Sequence, residues 1–490
     1  MRVTNNMVAT QSLNNIWRNS RHVNGIIQSI ETGKIIQRPS DNPLLSGRVL
    51  RYRTLISETE QFIRNAHTGM SWMEVSEAAF DNLLTGNNSI MARMNVLMLA
   101  AADGHTELAN VRAITDEIRE MFEQLKFVEM NQTYMGRYVF SGFHTDRPPV
   151  LINDMPGKTF VMQHTFNIQD IESTTTFHRP GPTSPLDLHD VNIIKLPFTG
   201  IMQLAGIPTG LPPLGIPGFE IVTVSLSQAN AYLPDDTTPT APDDLPIIHF
   251  IPETGELVLS NEAKTALTDG TFNDGIEIRF QKTGFSAGDL NPMINFLSWD
   301  ITDPANPIHF NAPEHRFDLE ISTNSHVTIN SHASNILTPQ MYADFQNLFR
   351  FIESLQPSSE AAIRAYFQLE HGLTDAALEN YVTEFMSDEA GAIASMIYIR
   401  FNNMIELWNR HATNAQTEHT ALGSRMARLE MLQTRLEEDE VAYLGLMSET
   451  QDTDIPAAIM KRNNAEVAFN NALRAIASVN QLSLADFINR

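Results

Sequence analysis

The chain has 490 residues, 42% of them apolar, no cysteine, and a formal charge of −25. That length accommodates about three domains with sizeable cores, and the missing cysteine excludes disulfides, thiol nucleophiles, thiolate metal sites and iron–sulfur clusters. The charge argues against a phosphate-tracking nucleic-acid binder and against docking on anionic lipid. Neither a signal peptide nor membrane insertion is expected. Asn5, Asn6, Thr10 and Gln11 interrupt the start of the chain, and the longest apolar run is the seven residues 96–102.

Charge and proline are unevenly spread. Residues 1–147 carry 15 basic and 15 acidic side chains, residues 408–490 carry 8 and 11, and residues 148–407 carry 10 and 32. Of the 25 prolines, 21 lie between Pro148 and Pro339. The ends are therefore near-neutral and permissive for helix, around an acidic interior broken by turns.

From the amino terminus, Leu13, Ile16, Ser20, Val23, Ile27 and Ile30 step by three and four residues, the spacing of a helical seam that ends at Thr32-Gly33. Asn42 and Pro43 are suited to open a second helix, which the pattern carries to about Ala102. Val111, Ile114, Ile118, Met121, Leu125 and Val128 mark a third. In the interior, Phe219–Leu226, Glu256–Leu259, Ile276–Phe280 and Phe317–Ile321 alternate with period two and read as strands. Helical patterning returns from Pro339 to about Arg410, with Ser358 and Thr374 as caps. Further on, Leu422, Leu429, Leu436 and Tyr443 lie seven apart, and Ala465, Phe469, Ala472, Ile476 and Val479 form a last stripe. Long single-faced helices need a partner, and the simplest is the helix at the other terminus, followed by neighbouring copies of the chain.

The chemical motifs favour ordinary structure. Gly284-Phe285-Ser286-Ala287-Gly288 fits the G-x-S-x-G nucleophile pattern, but Pro292 would break the helix that must start at the serine, so a β-turn is expected. Gly206, Gly210, Gly215 and Gly218 stand among Pro208, Pro212, Pro213 and Pro217, which lack the N–H groups of a phosphate cradle. The histidines show no zinc-helix pairing with glutamate, and His326 and His332 read as solvated or locally bonded. Asp235-Asp236 and Asp243-Asp244 lack the ligand spacing of an EF-hand loop. No cofactor, metal site or catalytic residue is expected.

Several segments resemble the bacterial flagellin superfamily. Thr32-Gly33-Lys34 followed by Arg38-Pro39-Ser40-Asp41-Asn42-Pro43 resembles the segment after its first helix, in the proline-containing form of the hook–filament junction branch. Gly136-Arg137-Tyr138-Val139-Phe140-Ser141-Gly142 is similar to that branch's signature at the end of the amino-terminal helical region. Leu422-Gly423-Ser424-Arg425, Arg428-Leu429-Glu430, Asp452-Thr453-Asp454-Ile455 and Gln481–Phe487 resemble the superfamily's carboxy-terminal helices. The likeness covers roughly 1–147 and 415–490, while residues 356–390 look like an extra helical insertion.

The resemblance implies a flagellin-like fold, mainly α at both termini as a coiled-coil or helical bundle, with a β-rich central insert. Its expected domains are 1–35 with 452–490, 36–147 with 391–451, 148–338, and the helical insertion 339–390. It further implies an extracellular, non-enzymatic axial protein of the flagellum that self-assembles in a ring or helical layer after type III export. Its neighbours would be the first hook-associated protein on the hook side and flagellin on the filament side. A cytoplasmic export chaperone would hold the carboxy-terminal helix. Leu13, Ile16, Val23, Ile27, Ile30, Phe469, Leu473, Ile476, Val479 and Leu482 would carry those contacts. The alternatives are a filament-forming flagellin and, from another class, a secreted serine hydrolase using Ser286. A saccharide- or host-binding module in the β insert is compatible with the structural role, with no ligand named by the sequence.

Overall fold

A computed structural model describes residues 5–86, 88–103, 107–178, 187–200, 203–204, 213–225, 246–268, 275–311, 316–371 and 375–488. The described chain forms two compact units. The first comprises residues 1–67, 320–326 and 429–490, the second residues 68–319 and 327–428.

In the first unit, helix α1 (Asn5–Thr32) packs along the last helix, α11 (Ile455–Ile488). The first part of α2 (Pro43–Leu84) and the end of the 77-residue α10 (Asp375–Gln451) complete it. Asn42 Oδ1 accepts from the Leu45 N–H at 3.2 Å, so the asparagine caps α2 with Pro43 in its first turn.

The second helix does not run on to Ala102. It stops at Leu84; Gly86 takes φ +89°, and Ser89 caps α3 (Ile90–Ala101) by accepting from the Ala92 N–H. A left-handed glycine and a serine cap three residues later end one helix and start another, which outweighs the continuous apolar pattern. Helix α4 (Leu108–Gln124) buries Val111 and Ile118 as spaced, but Ile114 and Met121 are only half-buried and Phe122, outside the predicted stripe, is fully buried. It then passes into a π turn, Leu125–Glu129, whose extra residue rotates the register. Val128 is therefore 53% exposed, whereas Lys126 and Glu129 are buried. Lys126 pairs with Glu123 at 2.7 Å and lies over the Phe122 ring.

The β-rich part of the second unit holds most of the predicted strands. Two short strands, β1 (Thr133–Tyr134) and β2 (Arg137–Tyr138), form a hairpin. Strands β3 (Met155–Phe166), β4 (Glu172–His178), β5 (Asp187–Lys195), β6 (Glu220–Thr223), β7 (Ile247–Ile251) and β8 (Glu256–Leu259) follow. After helix α5 (Asn261–Thr268) come β9 (Ile276–Phe285), a short turn of helix α6 (Pro292–Asn295), β10 (Leu297–Asp300), β11 (Ile308–Phe310), β12 (Asp318–Ser322) and β13 (Ser325–Thr328). One sheet runs β11-β10-β3-β9, another β4-β5-β8-β7-β6, and β12 pairs with β13 in a hairpin whose residues 320–326 belong to the first unit. In β9, Ile276, Ile278 and Phe280 are buried on alternate positions, as a strand with one face on the core requires.

Two helical pieces, α7 (Ala333–Ile336) and α8 (Pro339–Ser354), lead back toward the long helices. Thr338 caps α8 by accepting from the Met341 N–H at 3.0 Å. Phe122 stacks on Phe345 at 4.5 Å, and Phe345 meets the buried Trp408 edge-on at 5.3 Å. Helix α9 (Glu360–His371) and the start of α10 then form a small hairpin over Ile363, Leu378 and Val382. Its cap is Ser359, which accepts from the Ala362 N–H; Ser358 instead gives both its N–H and its hydroxyl to Glu389. Thr374 lies outside the described residues. Helix α10 continues through residues 390 and 391 without a break, so the helical insertion and the long-helix bundle share one rod.

Candidate functional site

Two of the family-like segments, those after α1 and before α11, meet within the first unit. Gly33 adopts φ +70° and its carbonyl accepts from the Thr453 N–H at 2.8 Å, while the Ile35 N–H donates to the Gln451 carbonyl at 2.8 Å. This bridge joins Lys34 to Asp452 and sets α1 and α11 side by side. In the turn before α2, Asp41 Oδ2 accepts from the N–H groups of Gln37 and Arg38 at 3.1 and 2.8 Å, with Pro39 and Ser40 inside the loop it closes. Asp454 Oδ1 accepts from the Ala457 N–H at 3.1 Å and caps α11. Asn42 and Asp454 thus satisfy N–H groups that a helix start leaves open, while Asp41 closes the turn before α2.

The predicted stripes face one another only in part. Ile16, Ser20, Val23, Ile27 and Ile30 on α1 are half-buried, as are Ala465, Phe469, Ala472 and Ile476 on α11. Leu13 and Leu473 do not share that seam: they are 53% and 41% exposed, and Ser12 takes the half-buried position on α1. For Val479 and Leu482 only the helical backbone is described. The outward side of this pair is also apolar, with Trp17 on α1 and Met460 and Val467 on α11 more than half exposed. Periodicity missed these three because it was followed along one stripe, whereas Leu13 and Trp17, four residues apart, start a second. Large apolar side chains on the open side of a helix pair mark a contact surface.

The hairpin motif has a structural reason too. Gly136 and Gly142 take φ +76° and +60°, conformations that favour glycine. Arg137 and Tyr138 pair with the preceding strand, and the Tyr138 N–H donates to the Thr145 carbonyl. Val139 and Phe140 are fully buried, with Phe140 edge-on to Phe80 at 6.1 Å. On α10, Leu422 and Leu429 are fully buried and Leu436 nearly so, whereas Gly423, Arg428 and Glu430 point to solvent.

The candidate chemical sites resolve into structure. Ser286 lies in a turn: its N–H donates to Asp289 Oδ2 at 3.1 Å, and its carbonyl accepts from the Asp289 N–H at 3.1 Å. No helix starts at Ser286; Pro292 instead opens α6, capped by Asn291. Gly215 is fixed by packing, since a Cβ there would lie 2.8 Å from the Leu204 carbonyl oxygen. Gly206, Gly210, Asp235, Asp236, Asp243 and Asp244 lie outside the described residues. His332 Nδ1 accepts from the Ser334 N–H at 3.1 Å and caps α7. Glu77, Asp81 and His419 each bring one ligand atom within 4.8 Å of the others, a grouping spread over α2 and α10 that no sequence spacing displays.

The second unit also contains a buried charge cluster. Asp344 on α8 is fully buried and accepts from Lys195 on β5 at 3.3 Å, from His411 Nε2 on α10 at 2.9 Å, and from Gln340 at 3.2 Å. Lys195 also pairs with Glu172 at 2.5 Å. Burial alone would raise the Asp344 pKa; the Lys195 charge and the hydrogen bond from His411 outweigh it and hold the carboxyl below its ordinary value.

His164 shows the opposite effect. Wedged edge-on against Phe166 and Phe296, it has its pKa lowered by burial from 6.5 to about 4. The unfolded chain therefore binds more protons between those values. This contribution to stability is complete above pH 6.5 and is lost as pH falls from 6.5 toward 4. Discounted for the part of the ring that water reaches, it is on the order of 1–2 kcal/mol. Urea unfolding at pH 7.5 and 4.5, followed by tryptophan fluorescence, is expected to show that loss, and His164→Gln to reduce it. An unchanged pH dependence in the variant would contradict the assignment.

Comparison with known proteins follows the same helical end. Residues 3–145 match the bacterial flagellin N-terminal helical region. Over that span, less than a third of its length, the chain is similar to that family. The flagellin of Salmonella berta is 23% identical over 245 residues, 49% of this chain and 44% of that protein. The chain thus spans less than half the length of that relative. Among solved structures, FlgL of Xanthomonas campestris is 9% identical, with 81% of this chain and 99% of the other covered at a TM-score of 0.31. The flagellar junction protein FlgL of Legionella pneumophila is 10% identical, with 84% and 100% covered at a TM-score of 0.28. Among the described residues, no helix is long and apolar enough to cross a membrane.

Proposed function

We propose that the chain is a structural, non-enzymatic subunit of the flagellar axis, placed at the junction between the hook-associated region and the filament. The observation that carries this reading is the bridge between Gly33–Ile35 and Gln451–Thr453, which pairs the two terminal helices and leaves Leu13, Trp17, Met460 and Val467 outward. Such a surface is satisfied by neighbouring copies or by adjoining axial proteins, the first hook-associated protein on one side and flagellin on the other. Before assembly the same surface is an aggregation hazard, which is the role for a cytoplasmic export chaperone over residues 452–490. Export of an unfolded chain fits the absence of cysteine crosslinks.

The junction reading is preferred to a filament subunit because of the turn Pro39–Pro43, closed by Asp41, and the hairpin Gly136–Gly142. Gold-labelled antibody against the chain on sheared flagella tests it. Label is expected in one short zone between hook and filament. Label along the whole filament would return the filament reading, and flagella without label would overturn both.

A further inference from the structure

Two helices of the second unit bring three metal-ligating side chains together. Glu77 and Asp81 lie four residues apart on α2, and His419 meets them from α10. One ligand atom from each lies within 4.8 Å of the other two. All three side chains reach the surface: Asp81 is exposed, and Glu77 and His419 are 32% and 18% exposed.

Neighbouring groups orient the donors. Glu77 Oε1 and His419 Nε2 are 2.9 Å apart, and the imidazole stacks on Phe80 at 5.3 Å, with the two rings 16° from parallel. Phe80 is 1% exposed and packs edge-on against Phe140, which fixes the surface that the imidazole lies on. Thr85 Oγ1 donates to Asp81 Oδ1 at 3.0 Å, the kind of outer hydrogen bond that directs a ligating carboxylate.

The local charge points to a cation. Two carboxylates at i and i+4 on one helix repel each other, and among the described residues neither is paired with a lysine or an arginine. Glu77 Oε2 is buried and no donor among those residues meets it, which is unfavourable for an ionised group. A divalent ion held by the other donor atoms balances this charge, and it does not need Oε2 as a ligand. The donor set then selects the ion. An imidazole nitrogen with two carboxylates suits zinc, whereas calcium and magnesium favour fuller, all-oxygen shells. Zinc bonds of ~2.0–2.2 Å in a tetrahedron place the donors roughly 3.3 Å apart. The Glu77–His419 pair therefore opens slightly, and the exposed Asp81 turns inward about its own torsions. The imidazole carries its proton on Nδ1, leaving Nε2 free to ligate.

We propose that Glu77, Asp81 and His419 form a zinc site, with water in the fourth position, that clasps α2 to α10. Glu77 and His419 are 342 positions apart in the chain, so the site is complete only once the second unit has folded. Zinc bound there stabilises the folded state by mass action. Titration of the full chain with zinc chloride against a chromophoric chelator is expected to show one saturable site, and zinc should raise the urea midpoint. Asp81→Asn alters an exposed side chain, so its metal-free unfolding curve should match that of the unsubstituted chain. Losing a group that merely orients a ligand lowers metal affinity about tenfold or more, so this variant should lose at least that factor. His419→Gln should abolish the site. Absence of saturable binding, zinc affinity unchanged in both variants, or calcium bound as tightly as zinc would overturn the proposal.

Discussion

Asp344→Ala is expected to lower the unfolding free energy of the second unit by roughly 3–5 kcal/mol, the range for removing one partner of a buried ion pair. The carboxylate is fully buried and ties β5, α8 and α10 together through Lys195, Gln340 and His411. Without it, Lys195 keeps Glu172 at 2.5 Å, but among the described residues His411 keeps no partner for Nε2, and its Nδ1 already has none there. The loss therefore comes from stranded polar groups more than from the missing attraction. Asp344→Asn retains the volume and an acceptor oxygen, so it should cost less than alanine. Urea unfolding read from Trp72, Trp299 and Trp408 measures both, and added salt should change the difference little because the pair is shielded from solvent ions. A shift below about 1 kcal/mol for alanine would show that the cluster is not maintained in solution.

The same cluster shows where sequence reading stops. Strand β8 coincides with the alternating run Glu256–Leu259, and β9 contains Ile276–Phe280, because a half-buried strand must alternate. The heptad at Leu422, Leu429 and Leu436 is buried for the same kind of reason. Helix α8 obeys no such rule: Gln340, Asp344 and Asn347 are buried along with Met341, Phe345 and Leu348, so it has no polar face to reveal its orientation. The π turn after Gln124 adds one residue to a helix whose periodicity gives no sign of it, and that turned Val128 outward. The break at Gly86 was legible in Gly86 and Ser89, but the apolar residues on both sides masked it.

Deletion of residues 452–490 is expected to abolish assembly and motility in a strain lacking the chain, while the second unit remains folded. That unit consists of residues 68–319 and 327–428, so the deletion removes none of its core. Two substitutions separate the inner seam from the outer surface. Phe469→Asp places a charge among the half-buried residues between α1 and α11, where an unpaired carboxylate is strongly unfavourable. It should reduce helicity by circular dichroism as well as assembly. Trp17→Asp changes a side chain that is 64% exposed, so helicity should persist while assembly fails. An indole that contributed nothing to packing between copies would leave motility intact in that variant. Burial of an apolar side chain contributes roughly 1.5–3 kcal/mol, and a symmetric layer repeats that contact at every copy. One outward tryptophan can therefore decide assembly without deciding the fold. Motility restored by the 452–490 deletion, or wild-type assembly by both substituted chains, would place the axial contacts elsewhere on the molecule.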